Sequence, residues 1–217
     1  AHIHTPAGGQ GMNTGIQDAY NLAWKIAYSI RYNAAPLLLE TYDTERTGNA
    51  AHLLKTTDRM FDFMIGAGSF RNFFRLRIFP AIANFISGKP SINKVFFPLL
   101  SQTGIAYPDS RLTIPSKAGK VKAGDRMPYF TFADGTNIYD HLNAPAFSLL
   151  CFGTVAKENN MIQLPFPVNT ISVTEYPARL FGNRDGFYIL LRPDNHIVYI
   201  GTEISPCVEL LKKFFPV

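Results

Sequence analysis

The feature that most constrains this chain is a glycine-rich loop that runs directly into a helix at its beginning. Residues 1–12 are polar and carry one proline and three glycines, which allow tight backbone turns that other residues disfavour. Apolar residues then recur at helical spacing, which predicts a first helix capped by Asn13 or Thr14. One face of this helix carries Ile16, Tyr20, Ala23, Ala27 and Ile30.

The chain changes character near residues 107–110. Before that point the pattern is mainly helical, with a second long helix from Pro36 to about Gly66 and a third over 69–85, bent at Pro80. After it, turn residues separate short apolar runs, which favours strands. We expect strands at 147–152, 170–175, 187–191 and 197–200, the last two forming a hairpin. Ser205 is expected to cap a terminal helix, with Pro206 at its first position.

The start of the first helix is the candidate ligand site. The first backbone N–H groups of a helix have no partner within the helix and carry partial positive charge, so they favour an anionic or electron-rich group. Gly8, Gly9 and Gly11 place no side chain in the way, and the amides of Met12 and Asn13 are the candidate donors. A flavin becomes negatively charged on one ring edge when it is reduced, and such a helix end would favour that form.

The order of residues 1–19, AHIHTPAGGQGMNTGIQDA, resembles the second flavin motif of the class A flavoprotein monooxygenases, the group of phenol hydroxylase and para-hydroxybenzoate hydroxylase. The resemblance implies that Pro6 lies beside the flavin ring and that Gly11, Met12 and Asn13 contact it through their backbone. With Gly9, these residues form the expected cofactor-binding set. In the family a Gly-Asp-Ala precedes this motif and its Asp contacts the cofactor, whereas this chain starts at Ala1.

The resemblance continues along the chain. Residues 18–25 and the Y-x-x-E-R pattern at Tyr42–Arg46 are similar to helices of the same family, and 107–112 and 123–128 are similar to the start of the thioredoxin-like C-terminal domain of its phenol hydroxylase branch. The implied fold is α/β: a helical C-terminal part of an FAD-binding domain over 1–110, then a thioredoxin-like domain over 111–217. A redox-active domain of that kind would need C-x-x-C after its first central strand, where this sequence has Phe152-Gly153-Thr154-Val155.

The implied activity is hydroxylation of a phenol-like ring with FAD, NAD(P)H and O2, with no catalytic side chain assigned because the cofactor supplies the chemistry. No G-x-G-x-x-G follows a predicted strand, so we expect an N-terminal segment that holds the ADP half of FAD to be missing. The isolated chain is then expected to bind FAD poorly and to be inactive. A non-catalytic assembly or binding module is the alternative, and a homodimer is possible.

Composition and residue spacing argue against several other kinds of function. The 21 Lys and Arg against 16 Asp and Glu are scattered, so no nucleic-acid partner is expected, and no apolar run is long enough for a membrane span. Two widely spaced cysteines fit a cytoplasmic setting. His2, His4 and Asp18 could hold a metal only with a further close ligand, so we assign no metal site.

Two other features have a structural and a functional interpretation. Cys207 would lie in the first turn of the last helix, where a thiol can become reactive, although a simple packing role is favoured. The phenylalanine-rich segment 70–79 is expected to pack in a core or a dimer rather than on a membrane surface.

Overall fold

The structure is a computed structural model that describes residues 11–65, 76–77, 103–157 and 166–216. Two compact units divide the chain: Ala1–Asp18 with Arg46–Gly104, and Ala19–Glu45 with Ile105–Val217. We call them unit 1 and unit 2. The predicted division into 1–110 and 111–217 stays a prediction. The expected helix over 69–85 and the packing role of segment 70–79 lie outside the described residues, apart from Leu76 and Arg77.

Two long helices form the first part of the chain. Helix α1 spans Gly11–Tyr32 and helix α2 spans Leu37–Ile65, close to the predicted bounds. Asn33 has a φ of 48°, a left-handed conformation that ends α1, and the amides of Leu38 and Glu40 then bond to the carbonyls of Ala35 and Pro36. Because α1 begins at Gly11, Asn13 and Thr14 lie inside its first turn and the prediction that one of them caps it was wrong.

The apolar face predicted on α1 faces solvent in this structure. Ile16, Tyr20, Ala23, Ala27 and Ile30 are all exposed. Within unit 2 the buried face of α1 instead carries Asn21, Trp24, Lys25 and Tyr28. Periodicity located the apolar stripe correctly, but the side of the helix that this chain covers is the more polar one.

Unit 2 is built on a four-stranded sheet preceded by a small hairpin. The hairpin pairs β1 (Lys117–Ala118) with β2 (Val121–Lys122). The main strands are β3 (Ser148–Gly153), β4 (Asn169–Val173), β5 (Gly186–Leu191) and β6 (Ile197–Gly201), in the order β4-β3-β5-β6. Strand β4 runs parallel to β3, and β5 and β6 are each antiparallel to the strand before them in that order. The α/β class and the four predicted strands are confirmed, and the strand order is the one that a thioredoxin-like fold requires.

Alternating residues of the central strands supply two apolar layers. Leu150 and Phe152 of β3 pack with β5 side chains and with the segment 118–142 on one face of the sheet. On the other face, Phe147 and Leu190 pack with α1 and with the last helix, α4 (Ser205–Phe214). Strand β3 is thus buried on both faces, as its continuous apolar run predicted.

Two short α-helices in the described part of unit 2 each follow a strand of the sheet. Helix α3 spans Ala178–Phe181 between β4 and β5. Helix α4 is capped by Ile204, without a side-chain hydrogen bond, so Ser205 is its first residue and Pro206 its second. The predicted Ser205 cap was therefore wrong by one residue. The amide of Cys207 already bonds to the Ile204 carbonyl, which starts the helix one residue earlier.

Candidate functional site

The predicted ligand site is represented in the described residues by the first turn of α1. Gly11, Met12 and Asn13 are its first three residues, whereas Pro6, Gly9, His2 and His4 lie outside the described residues. The Met12 side chain is 76% exposed, so this turn lies at the surface. No acidic residue occurs in the turn, so its partial positive charge is not neutralised by a side chain of its own. The turn can therefore present N–H donors to an electron-rich group.

An ion pair in unit 1 links the second turn of α1 to α2. The Arg46 guanidinium donates through Nε to Asp18 Oδ1, and both side chains are almost completely buried. The Asp18 carboxylate, considered above as a third metal ligand, is thus paired with an arginine.

A sealed ion cluster joins three chain segments of unit 2. We call Lys25, Glu45, Arg192 and Asp194 the Glu45 network. The guanidinium of Arg192 donates to both Glu45 oxygens, at 2.6 and 3.0 Å, and to both Asp194 oxygens, at 3.0 and 2.5 Å. Lys25 Nζ lies 2.9 Å from Glu45 Oε2. Every one of these side chains is at most 4% exposed, and their two positive and two negative charges balance.

Neutral side chains complete the hydrogen bonding of the two carboxylates. Asn21 Nδ2 and Ser110 Oγ donate to Glu45 at 2.8 and 2.5 Å, and Trp24 Nε1 donates to Asp194 at 3.1 Å. The rings of Trp24 and Tyr107 lie 5.3 and 5.2 Å from the Arg192 guanidinium carbon, within cation–π distance. Multiple donors of this kind are what a buried carboxylate requires.

The charges shift one another's protonation equilibria. Burial by itself would raise the pKa of Glu45, but Arg192 and Lys25 outweigh it and lower that pKa to about 2. The pKa of Asp194 lies well below its ordinary value for the same reason: burial opposes ionisation, and Arg192 and His196 overcome it. Burial and the neighbouring Arg192 lower the pKa of Lys25 to about 8, against the opposing effect of Glu45. Both carboxylates are therefore ionised at neutral pH. Lys25 is the member of the network whose charged form is disfavoured by its surroundings.

His196 connects the Glu45 network to Ile105 and Tyr107, which lie at the start of the range 105–217. Its Nδ1 lies 3.4 Å from Asp194 Oδ1, its Nε2 lies 3.3 Å from the Ile105 carbonyl oxygen, and its ring packs against Tyr107 at 4.5 Å. The turn at 192–196 was predicted only as a hairpin connection. It also supplies Arg192 and Asp194, two of the four charged members of the Glu45 network.

The Glu45 network has the chemistry of a structural element. It is closed to solvent, its charges cancel and its carboxylates are saturated with donors, so no group in it is available to an external substrate. Its function is to hold residues 19–45 against 105–217. In the sequence, the Y-x-x-E-R pattern indicates that Glu45 is important. It does not reveal the partner of Glu45, Arg192, which lies 147 positions away.

The segment after β3 is the place where a redox-active thioredoxin-like domain would need C-x-x-C. Phe152 and Gly153 end β3, and Thr154 and Val155 start a 3₁₀ turn over Thr154–Lys157. Cys207 lies in the first turn of α4 but is fully buried, and burial raises the pKa of its thiol to about 12. The reactive interpretation of Cys207 is therefore wrong, because loss of hydration outweighs the helix dipole.

Neither a metal site nor a membrane span is found in the described residues. In those parts of the chain, His, Cys, Asp and Glu side chains form no group of three that could bind a metal ion. Among the helices described, none is long and apolar enough to cross a bilayer.

Comparison with known proteins identifies the relatives of this chain. Residues 1–57 match the FAD binding domain family, which confirms the predicted cofactor and the resemblance. An uncharacterized aromatic compound monooxygenase of Bacillus subtilis, YhjG, is 30% identical over 98% of this chain and 41% of its own length. Pentachlorophenol 4-monooxygenase of Sphingobium chlorophenolicum is 31% identical over 91% of this chain and 40% of its own length. The structure of OxyS, an anhydrotetracycline hydroxylase from Streptomyces rimosus, covers 99% of this chain at 25% identity and a TM-score of 0.65.

The extent of these matches is uneven. The chain is aligned almost from end to end, but it spans only about two fifths of the length of the relatives it matches, 41% and 40% for the two monooxygenases.

Proposed function

We propose that this chain, a relative of the flavin-dependent aromatic monooxygenases, is the part of such an enzyme that presents helix α1 to the flavin. The observation that carries the proposal is the coincidence of two findings. Residues 1–57 match the FAD binding domain family, and within that range a helix begins at Gly11, where the sequence resemblance expects contacts to the flavin.

The first turn of α1 fits an electron-rich ring edge. Gly11 has no side chain, the Met12 side chain points into solvent, and the turn contains no carboxylate that would repel a negative charge. In this proposal the backbone N–H groups of Gly11, Met12 and Asn13 hold the flavin, with Pro6 beside its ring and Gly9 in the loop that approaches it.

Bound FAD would supply the redox chemistry, accepting a hydride from NAD(P)H and activating O2 so that one oxygen atom is inserted into a phenol-like ring. The chain's own residues orient the cofactor and stabilise negative charge on its ring edge through the start of α1. No side chain of the described residues is assigned a proton transfer. The Asp18–Arg46 pair and the Glu45 network, each within its own unit, keep the helices in place.

The same proposal includes partners that the described residues do not contain. A small aromatic substrate is supported by the names of the relatives, and a further segment for the ADP half of FAD is supported by their greater length. A homodimeric arrangement is compatible with the proposal. A cytoplasmic location is supported by two buried thiols, Cys151 and Cys207, in a protein of this class.

The direct experiment compares the 217-residue chain with the product of the complete coding sequence from which it comes. We expect the complete protein to retain FAD through gel filtration and to oxidise NAD(P)H with formation of a hydroxylated product when phenols are added. The 217-residue chain is expected to retain little FAD and to form no product. Stoichiometric FAD on the isolated chain would contradict the second expectation. A complete protein without FAD would refute the proposed function and favour an assembly module.

A further inference from the structure

The basic residues of this chain are scattered along the sequence, but the fold of unit 2 brings five of them together on one surface. Three lie in the β1–β2 hairpin, and two lie in the segment 179–184, which begins inside α3. All five side chains are exposed. We call them the hairpin basic patch: Lys117, Lys120, Lys122, Arg179 and Arg184.

Contacts between the hairpin and the segment with the two arginines fix their relative position. The Lys120 amide donates to the Leu180 carbonyl at 2.8 Å, and Arg184 Nη2 donates to the Lys117 carbonyl at 3.2 Å. A Cβ on Gly119 would lie 2.5 Å from the Leu180 oxygen, so only glycine allows the turn to approach this closely. The backbone points from which the basic side chains extend are therefore held in a fixed arrangement.

The hairpin directs its lysines away from the core. Ala118 and Val121 are 0% and 5% exposed and belong to the apolar layer on one face of the sheet. Lys117 pairs directly with Lys122 across the two strands, so their side chains lie on the same, outer side of the hairpin. Like charges directly opposite each other destabilise a pair of strands. The pairing is unfavourable for folding by itself, and a partner with negative charge would offset it.

Carboxylates of the described residues do not neutralise the patch. Among those residues, no Asp or Glu oxygen lies within 4.0 Å of a charged nitrogen of the five basic side chains. Asp125 accepts a hydrogen bond from the Lys122 backbone amide at 2.9 Å, and Glu175 and Asp185 are exposed. The ranges 117–125 and 175–185 together contain five basic and three acidic residues, which leaves a charge of +2.

The chemistry of the patch favours an acidic protein segment over other anions. Its cations are spread over an exposed surface, whereas small anionic ligands are bound mainly in concave sites. The neighbouring rings of Phe181 and Phe187 are fully buried, so they are not available to stack on the bases of a single-stranded nucleic acid. The apolar side chains of the hairpin, Ala118 and Val121, are also buried, so the hairpin has no apolar side chain to insert into a membrane surface.

We propose that the hairpin basic patch is a docking surface for an acidic segment of a partner protein, whose carboxylates pair with the lysine ammonium groups. Exposed charges at the edge of an interface act mainly on the association rate, and their effect weakens as salt screens them. The partner is a protein rather than a substrate or cofactor, so this inference goes beyond the proposed flavin function and does not depend on it.

The test measures binding of the complete protein to a fluorescent peptide of about ten glutamates by fluorescence anisotropy. Lys117→Gln combined with Lys122→Gln removes two charges and keeps the Lys117 carbonyl and the Lys122 amide in their hydrogen bonds. Lys212→Gln combined with Lys213→Gln is the matched control. It removes two exposed charges from the end of α4, which packs on the opposite face of the sheet.

We expect the unmodified protein and K212Q/K213Q to bind the peptide with similar affinity, and K117Q/K122Q to bind about tenfold more weakly in about 50 mM salt. In about 1 M salt the difference should disappear, because the screening length falls to about 3 Å. Equal affinities of the two double variants at low salt would overturn the proposal. So would a lack of measurable binding by the unmodified protein at low salt.

Other anions and the stability of the variant complete the test. Inorganic phosphate, a short DNA duplex and vesicles that contain phosphatidylserine are measured with the same proteins. Tighter binding of any of them than of the peptide, weakened in K117Q/K122Q, would overturn the assignment to an acidic protein segment. K117Q/K122Q should unfold at the same or a higher temperature than the unmodified protein, because a like-charge pair is removed. A lower unfolding temperature would contradict the argument that these lysines are unfavourable for folding.

Discussion

At the scale of single residues, the Glu45 carboxylate accepts hydrogen bonds from Asn21, Lys25, Ser110 and Arg192. Its neighbour in sequence, Arg46, belongs to unit 1, where it pairs with Asp18 of the same unit. The Y-x-x-E-R pattern therefore supplies one charge to each unit, which gives a physical reason for a Glu-Arg pair on this helix. Charges buried in this way stabilise the fold only as long as each retains its partners.

Replacing Glu45 should therefore cost more than replacing Lys25. Glu45→Gln leaves the buried Arg192 with one carboxylate and is expected to lower the free energy of unfolding at pH 7 by about 3 kcal/mol. Lys25→Met leaves both Arg192–Glu45 hydrogen bonds in place and removes an ammonium whose burial is already unfavourable, so its cost should stay below about 1 kcal/mol. Urea unfolding measures both values. A larger loss for K25M than for E45Q would contradict this account of the network.

The pH dependence of stability is a second test of the role of Glu45. The pKa of Glu45 is lowered from the ordinary 4.5 to about 2 in the folded protein. The unfolded chain therefore binds a proton that the folded chain does not over that range, so the stabilisation is complete above about pH 4.5 and is lost as the pH falls towards 2. In this pH window the free energy of unfolding of E45Q should depend less steeply on pH. Its folded and unfolded states no longer differ by the proton that Glu45 binds on unfolding. An unchanged slope would mean that Glu45 is not ionised in the network.

At the scale of elements, the segments 107–112 and 123–128 are held together by backbone contacts. The Tyr107 amide donates to the Gly124 carbonyl at 2.9 Å, and the Gly124 amide donates to the Ile197 carbonyl at 2.7 Å. Gly124 has a φ of 90°, and a Cβ on it would lie 2.6 Å from the Pro108 nitrogen. Both the backbone conformation and the close approach therefore require glycine at this position.

Gly124→Ala should destabilise the protein by more than about 2 kcal/mol, because it combines left-handed strain with a backbone collision. Gly135→Ala is the matched control, since Gly135 has a φ of 86° but no atom within 4 Å of an added Cβ. It should cost only the conformational strain, about 1 kcal/mol. Thermal unfolding of the two variants measures the difference. Equal losses would show that the approach of Pro108 is unimportant.

The elements themselves were largely predictable, and the errors have identifiable causes. The four strands and the hairpin turn depend on local alternation and turn residues, which sequence patterns record. The predicted caps at Asn13 or Thr14 and at Ser205 were wrong because these residues lie inside their helices, and α4 is capped by Ile204 without a side-chain hydrogen bond. The apolar stripe of α1 was located correctly, but a periodicity does not reveal which side of a helix a given chain covers.

At the scale of the whole molecule, the two units are interleaved along the sequence. Residues 19–45 belong with 105–217, whereas residues 46–104 belong with the beginning of the chain. The sequence predicts two successive parts, because its composition changes once, near residue 107, and that division stays a prediction. Pairs such as Lys25–Glu45 and Glu45–Arg192 link segments that are far apart in the chain, and no local pattern predicts them. The flavin motif was recognisable because its function depends on consecutive residues.

The central claim is that the backbone amides at the start of α1 face the flavin, and Met12→Pro tests it most directly. Proline is tolerated in the first turn of a helix but has no N–H to donate, while Met12→Ala keeps that N–H and removes the same exposed side chain. In the complete, FAD-loaded protein we expect M12P to weaken FAD binding and to lower the flavin reduction potential relative to M12A. The affinity loss should be about 1.5–3 kcal/mol, as for a hydrogen bond to a charged group. Identical affinities and potentials for M12P and M12A would contradict the claim.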